Sequence, residues 1–169
     1  MNYIIAAYNH FIKGDYGKHA RYALLLIGDA YARKGDVSKA IEVYLQAQDE
    51  ARLYRDSVLM IQATWPLAMQ YVDEGNTEEA IRLFDYLTDS IKYSLSAPSV
   101  AYQARAYALV GNRKAYKTAM EKALSLADSP YERYIVNLQN YKAAMSVNDH
   151  TSALSAAGEA ISYLTGNDY

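Results

Sequence analysis

Apolar residues recur along most of the chain at intervals of three and four, the spacing that gathers side chains on one face of an α-helix at about 100° per residue. The pattern is clearest between residues 24 and 47. Leu24, Ile27, Gly28 and Tyr31 share one helical face, Ala40, Tyr44 and Ala47 share another, and Gly35-Asp36 stands between them. Glycine supplies the left-handed residue that ends a helix, and aspartate accepts an N–H bond at the start of the next. The stretch therefore predicts helices from about Tyr16 to Lys34 and from Val37 to Leu53, folded antiparallel because the turn is too short for any other course. An earlier helix is predicted over Met1 to Lys13, with Ile4, Ala7, Tyr8, Phe11 and Ile12 on one broad face and a turn and N-cap at Gly14-Asp15.

The same arrangement returns downstream as Tyr71, Gly75, Ala80, Phe84, then as Tyr107, Gly111, Met120, Ala123, and more weakly as Asn148, Ala153, Ala157, Ala160. Asparagine tolerates the left-handed region better than other non-glycine residues, so Asn148 fits the corner. The corner positions 35, 75, 111 and 148 are 40, 36 and 37 residues apart, a period that belongs to helical solenoids. Pro98 and Pro130 fall where new helices would begin, a place where the missing N–H costs little. Pro66 interrupts the apolar run from Val58 to Tyr71 and predicts a kink or a helix that starts later.

The spacing resembles the tetratricopeptide repeat. Leu24, Ile27-Gly28, Tyr31, Gly35, Ala40, Tyr44 and Ala47 match its pattern of a large residue, Leu-Gly, Tyr, Gly, Ala, an aromatic and Ala. Departures are a period longer than the usual length of about 34 residues, and Tyr141 where a small residue is expected. The resemblance implies an all-α fold, a right-handed α–α superhelix of about four helix-turn-helix repeats plus an N-terminal extra helix. It implies one repeat domain over 1–169, with a half repeat at 1–15 and repeats at 16–54, 55–95, 96–128 and 129–165.

The resemblance also implies a non-catalytic scaffold that holds a peptide or partner protein in a concave groove. Similar arrays serve as sensory or regulatory portions of larger bacterial signalling proteins. On the first helix of each pair, helical arithmetic places Tyr22, Leu25, Asp29 and Arg33, then Gln62, Trp65, Met69 and Asp73, then Tyr102 and Arg105, then Gln139 and Lys142 toward that groove. A tryptophan beside a methionine is a natural apolar anchor, and Asp29, Asp73 and Arg105 would set polarity and register. The competing reading has Trp65 and Met69 packed beneath a lengthened helix end. Chaperone-binding relatives grip a terminal carboxylate with Lys and Asn at positions held here by Leu25, Asp29 and Pro66, so capture of an acidic tail is not expected.

Composition narrows the classes further. Formal net charge is −2, without the basic stripe that phosphate backbones demand, so nucleic acid is not an expected partner. There is no cysteine, which removes disulfides and thiolate chemistry and suits a reducing compartment. No apolar run approaches the roughly 20 residues needed to span a bilayer. His10, His19 and His150 lack the spacing that would set two ligands on one helix face, and no glycine loop has a nucleotide-binding pattern. No metal, cofactor or catalytic residue is therefore expected.

Tyrosine is the compositional oddity, 18 residues against 2 Phe and 1 Trp. A tyrosine fills a helix interface with its ring while its hydroxyl reaches a polar partner. The alternative function is a small-molecule or glycan-binding module that uses these rings as stacking platforms. Ala153, Leu154, Ala157, Ile161 and Leu164 look thinly covered, and exposed terminal faces of repeat arrays normally need caps. The expectation is an excised piece of a larger protein, or ends that pair with another chain as a homo-oligomer.

Overall fold

The corners place the helices. In the computed structural model, which describes residues 2–14 and 17–165, the order is α1 (Asn2–Lys13), α2 (Gly17–Arg33), α3 (Val37–Leu53), α4 (Ser57–Glu74) and α5 (Thr77–Asp85). After a π-helical turn (Tyr86–Ser90) follow α6 (Ala97–Leu109), α7 (Arg113–Leu126), α8 (Pro130–Ser146) and α9 (His150–Thr165). Among the described residues there is no strand, and no helix is long and apolar enough to cross a membrane. The expected N-cap Asp15 and helix start Tyr16 lie outside the described residues, as do the side chains of Ile4, Ala7 and Ile12.

Gly35, Gly75, Gly111 and Asn148 all adopt the left-handed conformation, with φ of 75°, 93°, 77° and 57°. At three of these corners the backbone closes in the same way. Asp36 N–H donates to Tyr31 C=O at 3.0 Å, Asn112 N–H to Tyr107 C=O at 2.8 Å and Asp149 N–H to Ala144 C=O at 2.9 Å. Each donor residue then caps the next helix with its side chain, accepting from Lys39, Ala115 and Ser152 N–H respectively. One orphan carbonyl and one orphan amide are thus satisfied per corner, which is why so short a turn can reverse the chain.

Two features depart from the sequence reading. α4 starts at Ser57 and runs through Pro66 to Glu74, so the later start does not occur. Proline removes only the bond to the Gln62 carbonyl, and burial of Ala63, Leu67 and Ala68 on either side holds the helix in place. The turn between α3 and α4 uses Arg55 at φ 53°, with Asp56 N–H on the Ala51 carbonyl at 2.8 Å. Asp56 caps α4 through Leu59 N–H. A non-glycine left-handed residue gives no compositional warning.

The chain divides into two compact units, Met1–Asn76 and Thr77–Tyr169. The division falls at the Gly75 corner, inside the stretch 55–95. In the first unit α1 packs on α2, α2 and α3 form an antiparallel pair, and α4 lies against both. Leu24, Ala47 and Ala63, one from each of these three helices, form a buried cluster with Tyr8, Leu25 and Val43 around it. In the second unit α6 and α7 pair, α8 rests on both, α9 pairs with α8, and α5 lies on α6. Buried alanines, among them Ala101, Ala104, Ala123, Ala143 and Ala144, let these backbones approach closely at little entropic cost.

Candidate functional site

In each unit the first helices of the pairs present corresponding positions. Asp29 on α2 and Met69 on α4 each precede the repeat tyrosine, Tyr31 or Tyr71, by two residues. Arg105 on α6 precedes Tyr107, and Lys142 on α8 precedes Ala144, by the same interval. One helical register thus carries Asp, Met, Arg and Lys in turn, in a fold whose other positions repeat.

On the first unit these groups are held rather than loose. Tyr44 of α3 donates its hydroxyl to Asp29 Oδ1 at 2.6 Å, which orients the carboxylate of a half-buried residue. Burial, and then the hydrogen bond and charge of Asp29, push the Tyr44 hydroxyl far above its ordinary pKa of 10.0. Tyr22 is half-buried and donates to Asp56, the α4 cap, at 3.4 Å, tying α2 to the start of α4. Burial and the Asp56 carboxylate raise its pKa as well. Leu25 packs against the Leu24–Ala47–Ala63 cluster. Arg33, Gln62 and Asp73 are exposed, while Trp65 and Met69 are half-buried.

On the second unit Arg105 Nη1 donates to Gln139 Oε1 at 3.1 Å, joining α6 to α8. Gln139 is only 1% exposed, so its side chain orients Arg105 instead of forming surface; the amide finds its partner inward because a buried amide left unpaired is costly. Tyr102 and Lys142 are half-buried. Beside them Tyr107 donates to Asp85 Oδ1 at 3.1 Å and accepts from Gln103 at 3.2 Å. Burial and the Asp85 charge push Tyr107 up to about 12.

These contacts account for four of the 18 tyrosines. Tyr22, Tyr44, Tyr107 and Tyr116 each set a ring into a helix interface and bind a polar side chain, the last through Asn140 Oδ1 at 2.8 Å. The polar partners Asp56, Asp85 and Asn140 were not legible beforehand, since each lies on a different helix from its tyrosine. Also missed was a cavity of about 290 Å³ lined by Tyr8, Arg21, Leu24, Glu50 and Tyr54. In it the Arg21 guanidinium stacks on the Tyr54 ring at 3.9 Å, and among the described residues its buried Nε has no hydrogen-bond partner. Pairing of the start of α2 with the end of α3 was the only signal for that site.

Residues 22–52 match the family model described as tetratricopeptide repeat. The matched span includes α2 from Tyr22 onward, the Gly35 corner and α3 to Arg52. No curated protein and no solved structure matches the chain.

Proposed function

Because the chain carries a tetratricopeptide repeat at residues 22–52, and such repeats mediate protein–protein interaction, we propose that it is a scaffold whose first helices bind a peptide or partner protein. The surface of α2 and α4 offers Leu25, Trp65 and Met69 beside Asp29, Arg33, Gln62 and Asp73, with Tyr22 at its edge. It suits a segment with a large apolar residue next to a basic one. The surface of α6 and α8 offers Arg105 and Lys142 with Tyr102, backed by Gln139, and suits an acidic group. The observation that carries the reading is the pair of held charges, Asp29 on Tyr44 and Arg105 on Gln139. A charge already oriented by its own protein loses less freedom on binding than a loose one. A place within a larger bacterial regulatory protein rests on the resemblance of the long tyrosine-rich repeats to such arrays, an analogy of fold.

Affinity capture with the wild type beside a Trp65→Ala/Arg105→Glu variant tests the surface. Loss of specific partners in the variant supports it; identical partner sets remove these residues from binding. Trp65 is the one tryptophan of the chain, so its fluorescence gives a second readout when a captured peptide is titrated.

The cavity at Arg21 favours a second reading, a small-ligand site. A guanidinium with an unpartnered Nε on an aromatic ring is suited to a carboxylate. Titration with benzoate, followed by NMR shifts of Tyr8 and Tyr54 and repeated in Arg21→Met, distinguishes the two readings. Shifts that persist in the variant eliminate the guanidinium as the binding group.

A further inference from the structure

One end of the α2–α3 pair holds two unlike charges that do not meet. Leu24 and Ala47 share the buried cluster of the first unit; Arg21 stands three residues before the one and Glu50 three residues after the other. Because the helices run antiparallel, both steps lead toward the same end of the pair. There the two side chains line the cavity of about 290 Å³, with Tyr8, Ala20, Leu24 and Tyr54 around them. Arg21 and Glu50 are half-buried, yet among the described residues they form no ion pair with each other. Arg52, the basic residue nearest Glu50 in the chain, is engaged by Asp49 at 2.8 Å.

Each of these groups lacks a complement. The Arg21 guanidinium keeps its charge at any working pH and stacks on the Tyr54 ring, and among the described residues its buried Nε has no acceptor. A buried polar atom without a partner calls for a group that completes it. Glu50 brings a carboxylate to the same space. Both charges lose hydration there without gaining a counter-ion, a costly arrangement that a ligand carrying both charges relieves. A plain carboxylate would satisfy Arg21 alone and set a second negative charge beside Glu50. The rest of the wall is apolar and aromatic. Ala20 and Leu24 are 4% and 3% exposed, and Tyr8 is held to α3 by Gln46, whose Nε2 donates to its hydroxyl at 3.3 Å.

We propose that the cavity takes a free α-amino acid with an apolar side chain. The inference rests on the small-ligand reading of this cavity and adds the second charge to it. The ligand carboxylate accepts from Arg21 in a charge-assisted bond, its ammonium donates to Glu50, and its side chain lies against Tyr8, Ala20 and Leu24. A cavity of this volume falls at the lower edge of small-ligand sites, so it suits one amino acid rather than a peptide. In an α-amino acid the two charged groups share one carbon, and unlike side chains reaching a single small cavity from two facing helices grip such a pair from either side.

L-Phenylalanine, 3-phenylpropanoate and 2-phenylethylamine test it, because the second lacks only the ammonium of the first and the third only its carboxylate. NMR titration of the whole chain is expected to show phenylalanine binding at least about tenfold more tightly than either analogue, with shifts at Tyr8 and Tyr54. Glu50→Gln is expected to abolish the preference for phenylalanine over 3-phenylpropanoate, and Arg21→Met to lose both ligands, with helical circular dichroism unchanged. The ranking in the wild type needs no variant and decides the matter should a substitution unfold the chain. If 3-phenylpropanoate binds as tightly as phenylalanine, the inference is overturned and the carboxylate site stands. If neither carboxylate binds, both fall. A preference that survives Glu50→Gln in a folded chain also overturns the inference, because the ammonium then has another partner.

Discussion

The Cβ that Gly28 lacks would lie 2.5 Å from Cε1 of Tyr44. The ring occupies the space a side chain on α2 would need, is 1% exposed, and ends in the 2.6 Å bond to Asp29. Packing of α2 on α3 and the orientation of a surface carboxylate are therefore one arrangement. Gly28→Ala, which by helix propensity alone would stabilise α2, is expected to destabilise by about 1–3 kcal/mol through overpacking. Tyr44→Ala costs about 3–5 kcal/mol. Urea denaturation measures both, and a Gly28→Ala chain more stable than wild type would refute the close approach.

Gln48 and Thr64 form a buried side-chain hydrogen bond between α3 and α4 at 2.8 Å, and the Thr64 hydroxyl donates in turn to the Met60 carbonyl. Thr64→Val leaves the Gln48 amide without its acceptor and is expected to cost about 1–3 kcal/mol. Adding Gln48→Leu removes the stranded group and restores part of that loss. A double-mutant cycle by thermal unfolding checks the coupling; additive effects would mean the pair contributes nothing jointly.

Asn148 closes the last corner at φ 57° with the Asp149 N–H on Ala144 C=O. Asn148→Gly is expected to be neutral or stabilising, and Asn148→Ala to lose about 1 kcal/mol, because a Cβ is disfavoured in the left-handed region without a helpful side chain. Equal melting temperatures for the two variants would place the strain elsewhere.

Raised tyrosine pKa values give an alkaline limit. Tyr107 goes from 10.0 to about 12 on folding, so the folded state favours its protonated form. The associated stability is fully present below pH 10 and is lost as pH rises through the folded value. Tyr44 shifts in the same direction, further. Tyrosinate absorbance followed with circular dichroism should show the exposed tyrosines ionising first and a late group ionising as helicity falls. Tyr107→Phe removes its share of that late step. Ionisation of every tyrosine near pH 10 without loss of helix would contradict the burial.

The helices were legible because their causes are local. Left-handed glycines, Asp and Asn caps and prolines at first turns act within a few residues, so α3 is read from Val37 to Leu53 with both ends correct. The left-handed Arg55 and the π-helical turn at Tyr86–Ser90 escaped notice because no residue type announces them. Repeats three and four show the limit from another side. Ala104 and Met120 keep the small-then-large order of Gly28 and Tyr44, whereas Tyr141 and Ala157 reverse it. Tyr141 is exposed, so the reversal leaves no large ring buried at that position of the last pair.

By itself the sequence determined the period, the glycine and asparagine corners and the pairing of helices. Periodicity assigns a residue to a face, and a face is a property of one helix. Which of those residues are held and which are free was decided only in the tertiary structure. Asp29 depends on a ring from α3, Arg105 on an amide buried in α8, and the bare side of α9 on the absence, among the described residues, of any helix against it. Each is a contact, or the want of one, between segments far apart in the chain, and a one-dimensional pattern contains no distance between them.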